Sequence, residues 1–359
     1  MKVLLLGEFS SLHRYLKEGL QELGDIEVKL FANGDSWKKI GGADGSLFNY
    51  YGGIPGRIKT YNEALKNARA FEGYDVVQLM YPHVYPHVVN SRICKRLAES
   101  NKCFSLVAAG DDLALVKAYR AGKLDYYMMD YDKNPLKVYD PESFKGKKKI
   151  RSEEKIVSLA DVIIPSLYEY TLGYEGNEKL SGVIPFPINT DNIKFGENTV
   201  KDKLVFFHGL NKELAKGTPF IREALLRLQQ KYPNDVEVII DGHMPFDKYV
   251  EVMNRANVVV DQCCSHGYGI NACIAMAQGK VVMAGSRDHT LAAFGIESSP
   301  IIHVEPSVDQ IYGQLEYILE NRNNVTQWGY DSRRYVEDMH HYVKVAARYV
   351  EAWKATGKI

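Results

Sequence analysis

Residues 257–285, reading NVVVDQCCSHGYGINACIAMAQGKVVMAG, leave this chain few ways to fold. The β-branched run at 257–260 suits a strand buried on both faces. Gly267 and Gly269 then bracket Tyr268, a spacing that lets the chain turn sharply and bring backbone N–H groups to an anion at the start of a helix. From 270 to 278 the residues are small or apolar, Gly279 fits the position that ends a helix, and 280–284 resumes a strand pattern. The stretch is one β-α-β unit. Taken alone, its glycines also suit a tight strand-to-helix connection that binds nothing.

Such a unit rarely stands alone, and 359 residues exceed what one hydrophobic core organises, so two domains are expected. Lys+Arg and Asp+Glu are balanced at 45 each, which argues against nucleic acid as a partner and leaves any basic surface local. The five cysteines show no CxxC pair and no Cys/His spacing suited to zinc, so they read as reduced and structural, with no metal. The opening MKVLLLGEF has too short an apolar run for a signal peptide or a membrane span, and a cytoplasmic protein is expected. Its 24 tyrosines fit sugar or partner contacts as well as amphipathic packing.

Strands and helices alternate from the start. Strand patterns at 2–6, 26–31, 75–79, 103–108 and 161–165 are separated by helical spacing at 12–23, 60–71, 88–100 and 152–159, with a glycine-rich connection at 41–56. Repeated β-α units imply a parallel sheet whose ligand sites lie at the carboxyl ends of its strands. Ser10, His13, His83, Asp111 and Asp112 fall near such ends. Each also suits a structural role: Ser10, Asp111 and Asp112 as helix caps, His13 on a first helical turn, His83 in a loop beside Pro82. The pattern weakens at 119–151, where tyrosines, Met128-Met129 and the run Lys145-Gly146-Lys147-Lys148-Lys149 suit either a lip meeting an acceptor or an anionic membrane, or a solvated insertion. Pro185 and Pro187 mark a hinge at 182–193. A second series follows, with strands at 204–208 and 236–240 and helices at 220–231, 246–256, 309–319 and 335–354. His340 and His341 are placed on that last helix, facing different ways, so joint metal ligation is not expected.

Several strings together resemble the GT-B glycosyltransferases of family 4. Ile184-Pro185 through Asp191 and Phe195 is similar to the family's hinge, and His208-Gly209 with Lys216-Gly217-Thr218 to its phosphate-side loop. Val260-Asp261-Gln262, Gly267-Tyr268-Gly269 and Ala275-Met276-Ala277-x-Gly279-Lys280 resemble the segment ending in EAMAxGKPV. The resemblance implies an α/β GT-B fold: two Rossmann-like parallel-sheet domains facing across a cleft, the C-terminal helix crossing back. It puts the acceptor domain at 1–187, completed by 335–359, and the donor domain at 188–334. It implies transfer of a sugar from a nucleotide-diphosphate donor to a glycan, lipid-linked or small acceptor, with retention, in surface polysaccharide synthesis, at the inner face of the membrane if peripheral, and with no cofactor. Lys216 and Asp111 are implied as catalytic. Gly209, Lys216, Gly217, His243, Met244, His266, Gly267, Tyr268, Gly269, Asn271 and Ser10 are implied at the donor, and His13, His83 and Asp112 at the acceptor.

Three positions depart from the family pattern. Ile274 stands where a glutamate holds the donor ribose, with His266 at the upstream partner position. Leu210 replaces an arginine of the cationic clamp, and Ala109 a histidine of the N-terminal domain. Losing a charged partner costs about 1.5–3 kcal/mol each. A transferase whose donor is held otherwise, by His266 or Asn271, with Asp261 or Glu305 as the replacement carboxylate, is therefore expected. The alternatives are a degenerate member binding a nucleotide, glycan or partner enzyme without turnover, and a sugar-nucleotide epimerase.

Overall fold

Five short apolar strands form the first sheet in the computed structural model, which describes residues 1–33, 41–242 and 244–359. They are β1 (Lys2–Leu6), β2 (Glu27–Phe31), β3 (Val76–Leu79), β4 (Cys103–Ala108) and β5 (Val162–Pro165). All pair in parallel, in the order β2-β1-β3-β4-β5. Val3, Leu4, Leu5, Val77, Phe104 and Leu106 are fully buried because helices cover both faces. Those helices are α1 (Leu12–Glu22), α2 (Gly53–Ala68), α3 (His87–Ser100), α4 (Leu113–Arg120), the short α5 (Asn134–Val138) and α6 (Phe144–Leu159).

The second sheet repeats the plan. Its strands are β6 (Leu204–Leu210), β7 (Val236–Gly242), β8 (Val258–Val260), β9 (Val281–Ala284) and β10 (Ile302–His303), in the order β10-β9-β8-β6-β7. Counted from its own first strand, this is the connectivity of the first sheet, again wholly parallel. Around it run α7 (Glu213–Lys216), α8 (Thr218–Lys231), α9 (Phe246–Arg255), α10 (Ile270–Ala277), α11 (Asp288–Phe294), α12 (Val308–Glu320) and α13 (Val325–Met339), while α14 (Tyr342–Lys354) ends the chain. Two units result: Met1–Lys123 with Asn134–Asn189 and Tyr342–Ile359, and Leu124–Lys133 with Thr190–His341.

Three helices differ from the sequence expectation. The helix expected at 60–71 begins at Gly53, because Pro55 sits in its first turn, where a missing N–H costs nothing. The helix expected at 152–159 starts at Phe144, where the Ser143 hydroxyl accepts from the Gly146 N–H at 3.0 Å, so the lysine run lies on helix and not on a solvated insertion. The helix expected at 335–354 is two: His340 and His341 sit in the break between α13 and α14. His340 is buried there, its Nε2 3.0 Å from the Tyr268 hydroxyl.

α14 belongs to the first unit through close packing. A Cβ on Gly19 of α1 would meet the Tyr342 carbonyl oxygen at 2.3 Å, so only glycine admits the helix there. Trp353 is fully buried and its indole N–H donates to Gln78 Oε1 at 3.1 Å, an oxygen that also accepts from the Ser105 hydroxyl at 3.0 Å. Trp353→Ala removes this large side chain and leaves the Gln78 cluster short of a donor. It is expected to destabilise the first unit by about 3–5 kcal/mol. A urea midpoint equal to that of the parent would contradict that role.

Candidate functional site

In a parallel sheet of this order the chain leaves β6 and β8 in opposite directions, and the gap between their following loops is where such sheets bind ligands. The loop after β6 passes through Lys212, held at φ 44°, into α7 and then Gly217 at φ 77°. Only glycine fits the last position. A Cβ there would meet Cys263 Sγ at 2.3 Å and Cys264 Sγ at 2.7 Å. The Cys263 N–H donates to the Lys216 carbonyl at 3.0 Å, so the loops after β6 and β8 are joined through backbone. That contact sets Lys216 Nζ 2.8 Å from Asp261 Oδ1, both side chains largely buried. Below them His208 donates from Nδ1 to the Val260 carbonyl at 2.7 Å and accepts at Nε2 from the Thr218 hydroxyl at 2.8 Å. Burial pushes its pKa down to about 4.

The loop after β8 runs from Asp261 to Gly269 and opens α10. Gly269 is extended, at φ −106°, and a Cβ on it would meet open space. The tight position is instead Gly285 after β9, where a Cβ would meet the Ser265 carbonyl at 2.1 Å and the Gly267 carbonyl at 2.7 Å. Gln262 Nε2 donates to that Gly267 carbonyl at 3.2 Å. The Tyr268 side chain points into the core, bonded to the Tyr335 hydroxyl at 2.5 Å, so only its backbone is available to a ligand. Asn271 is exposed on the first turn of α10. Met244 is partly buried after β7, and His243 lies outside the described residues. Gly209 is within β6, one residue before its end.

The segment Leu124–Lys133 packs with the second unit although it lies among residues of the first, a placement with no local signature. Tyr131 packs edge-on against Phe220 at 5.3 Å, and Met128 joins the core cluster that includes Cys263 and Cys264. Asp125 bonds Arg287 and lies 2.9 Å from His266 Nε2, and His266 Nδ1 is 2.9 Å from His289 Nε2. His266 is thus flanked by Asp125 and His289 and 2% exposed, its pKa pushed down to about 4 by burial and then by His289. Arg287, at the start of α11, is a cation on this sheet edge that the sequence reading did not single out.

In the first unit the structure separates the candidate residues into two groups. His13 is fully buried, donating from Nδ1 to the Gly7 carbonyl at 2.8 Å and facing Gln78 Nε2 at 3.1 Å, so it pins the loop after β1 and cannot reach an acceptor. Asp112 is the N-cap of α4, accepting from Leu115 N–H at 2.8 Å and from the Tyr174 hydroxyl at 2.6 Å. Burial, with Glu153 nearby, raises its pKa to about 7. His83 is bound to Glu153 Oε2 at 2.9 Å and is buried. All three side chains read as acceptor contacts are thus committed to partners within the first unit. Ser10 and Asp111 remain partly exposed at the ends of β1 and β4. Ser10 does not cap α1: Glu8 does, its carboxylate accepting from His13 N–H at 3.3 Å and Arg14 N–H at 2.8 Å. Ser10 and Ser11 both hold positive φ, 50° and 74°, strain of a kind that collects at functional loops.

Known structures share this arrangement. Sucrose-phosphate synthase from Thermosynechococcus elongatus superposes with a TM-score of 0.64 at 15% identity, over 99% of this chain and 98% of that one. Anabaena Alr3699/HepE, in complex with UDP and glucose, gives 0.63 at 12%, over 99% and 100%. UDP-GlcNAc 2-epimerase from Neisseria meningitidis, bound to UDP-GlcNAc, gives 0.55 at 13%, over 99% and 100%. The fold is GT-B. No protein-family profile and no curated protein sequence matches the chain. Against the GT-B pattern, Leu210 lies where β6 meets Gly242, on which a Cβ would fall 2.2 Å from the Leu210 carbonyl. Ala109 is buried, and Ile274 is half-buried on α10.

His208 and His266 fold as neutral imidazoles, with pKa values near 4 against 6.5 for a free imidazole side chain. The unfolded chain therefore binds more protons than the folded one between those values, and the stability they lend is present above pH 6.5 and lost as pH falls toward 4. Protection factors of the β6 and β8 amides, corrected for the slower intrinsic exchange in acid, should fall on acidification from pH 7 to about 5. His208→Gln keeps a donor and an acceptor without a titrating proton, so its stability should depend less on pH. Equal slopes for parent and variant would overturn the assignment.

Proposed function

We propose that this chain is a glycosyltransferase that takes a sugar from a nucleoside-diphosphate donor held at the carboxyl edge of its second sheet. The observation that carries the reading is the Lys216–Asp261 pair at the switch point of that sheet, beside the start of α10. A glycosyl donor loses a diphosphate, and negative charge grows on the leaving oxygen as the glycosidic bond breaks. Lys216 offers an ammonium for that charge, and the first N–H groups of α10 offer dipoles pointing the same way. Asp261 supplies a carboxylate close to the place where Ile274 provides none, and is suited to hold ribose hydroxyls. Ser10 and Asp111 stand at the corresponding edge of the first sheet, where the acceptor is expected.

UDP is the nucleotide to try first, because the ligand-bound GT-B relatives above carry UDP or a UDP-sugar whether their names describe a transferase or an epimerase. With UDP as ligand, Lys216→Ala should weaken binding by roughly tenfold to a hundredfold, the loss of one charged hydrogen bond, and should also lower the melting temperature of the free protein because Asp261 is left buried without its partner; Lys216→Ala/Asp261→Asn, which removes both charges, should lose the affinity with a smaller drop in melting temperature. Unchanged affinity would place the phosphates elsewhere. Ile274→Glu is the complementary variant and should tighten UDP binding if ribose lies against α10. Product analysis with a panel of UDP-sugars then separates transfer from epimerisation, and no turnover of any of them despite UDP binding would favour the non-catalytic alternative.

A further inference from the structure

We infer that Lys148, Lys149 and His87 form a phosphate-binding site at the carboxyl edge of the first sheet, and that the acceptor carries a phosphate group. The second clause rests on the transferase reading, whereas the first stands without it. α3 and α6 pack side by side, with the Ser91 and Ser152 hydroxyls 2.8 Å apart. Both helices lie between parallel strands of one sheet and run the same way. One helical turn toward the N-terminus from Ser91 is His87, and one turn from Ser152 are Lys148 and Lys149. The same step brings these side chains together at the N-terminal end of α3, where the helix dipole adds positive potential.

The charge there is not balanced. Lys149 is half-buried, its Nζ 4.9 Å from the centre of the Tyr139 ring and 5.7 Å from that of Tyr81. Among the described residues neither Lys148 nor Lys149 is ion-paired, whereas Lys147 beside them reaches Glu142 at 3.8 Å. The nearest carboxylate, Glu153, is buried and already takes three donors: His83 Nε2 at 2.9 Å, the Tyr139 hydroxyl at 2.7 Å and Leu113 N–H at 2.7 Å. His87 meets the His83 ring edge-on at 5.1 Å, and after desolvation His83, Lys149 and Lys148 all lower its pKa. Glu153 attracts Lys149 through space but has its oxygens already engaged, so two neighbouring lysines with no carboxylate of their own gain when an anion with several acceptor oxygens binds, and a phosphate offers three or four.

Phosphate of this kind comes either on a soluble acceptor or on a lipid headgroup, and Val88 and Phe144, 61% and 83% exposed at the starts of α3 and α6, make the second source worth a separate arm. Inorganic phosphate is titrated into the full chain with and without saturating UDP, and sedimentation is measured with vesicles of phosphatidylcholine with and without phosphatidic acid. Phosphate or phosphatidic-acid binding that persists with UDP present, weakens by about tenfold or more in Lys148→Gln/Lys149→Gln, and is retained in Lys149→Arg supports the site. Vesicle binding assigns the phosphate to a lipid, and phosphate binding without it to a soluble acceptor. Binding of neither probe, displacement by UDP, or equal binding in the double variant overturns the site. UDP affinity is read separately in each variant, so failure of the donor reading shows as lost UDP binding in the parent and leaves the phosphate result standing.

Discussion

The contact between Gly217 and the sulfur atoms of Cys263 and Cys264 governs the second unit. Two loops that leave a parallel sheet on opposite sides of its switch point diverge unless something ties them together. Here a missing Cβ lets the Lys216-Gly217 backbone lie on the two thiols, and the Cys263 N–H closes on the Lys216 carbonyl. Lys216 and Asp261 meet only because of that tie. The same packing accounts for buried, reduced cysteines at this position: their sulfur fills space against backbone, and the contact with the Cys264 thiol, followed by burial, holds the Cys263 thiol far from ionisation.

The first unit shows why polar residues near the ends of strands are poor witnesses to ligand contact. A buried polar group left without a partner costs about 1–3 kcal/mol, so the fold takes up nearby donors and acceptors before any ligand can. His13 went to the Gly7 carbonyl, Asp112 to the start of α4 and Tyr174, and His83 to Glu153. The partly exposed groups at that edge are Ser10 on a strained loop, Asp111 after β4, and lysines whose one nearby carboxylate is already saturated.

Much of this architecture was legible in the sequence, and the failures have physical causes. The strands at 2–6 and 103–108 match their patterns to the residue, because a strand buried on both faces is a continuous apolar run with sharp polar ends. α2 was misjudged at its start because Gly-Ile-Pro-Gly reads as a breaker, yet proline in a first turn breaks nothing. α6 starts earlier than its pattern suggests because a run rich in lysine looks solvated, and Lys145, Lys147 and Lys148 are exposed, yet Gly146 is buried and Lys149 half-buried on the same first turns. The break at His340 leaves no local signature. Its cause is tertiary, a histidine drawn into the core beside Tyr268 between helices that belong to different units. The packing of Leu124–Lys133 with the second unit is likewise a long-range fact, and with it went the partners of His266 and Arg287. Lys216 was legible as a cation after a strand, but its partner was visible only as one of two candidate carboxylates.

That partner changes how the departures at Ile274 and Leu210 weigh on the proposed chemistry. An ammonium and a carboxylate this well buried cannot be separated cheaply, since an uncompensated buried charge costs about 3–5 kcal/mol, whereas an exposed pair is worth about 1 kcal/mol or less. A phosphate that takes Lys216 from Asp261 must therefore arrive with something for Asp261. A free anion brings nothing of the kind. A nucleotide does, because its ribose hydroxyls can donate to the carboxylate while its phosphate oxygens accept from the lysine, and both exchanges occur at one loop junction. The pair thus favours the whole nucleotide over its phosphate, a discrimination that the glutamate absent at Ile274 would have provided from the helix.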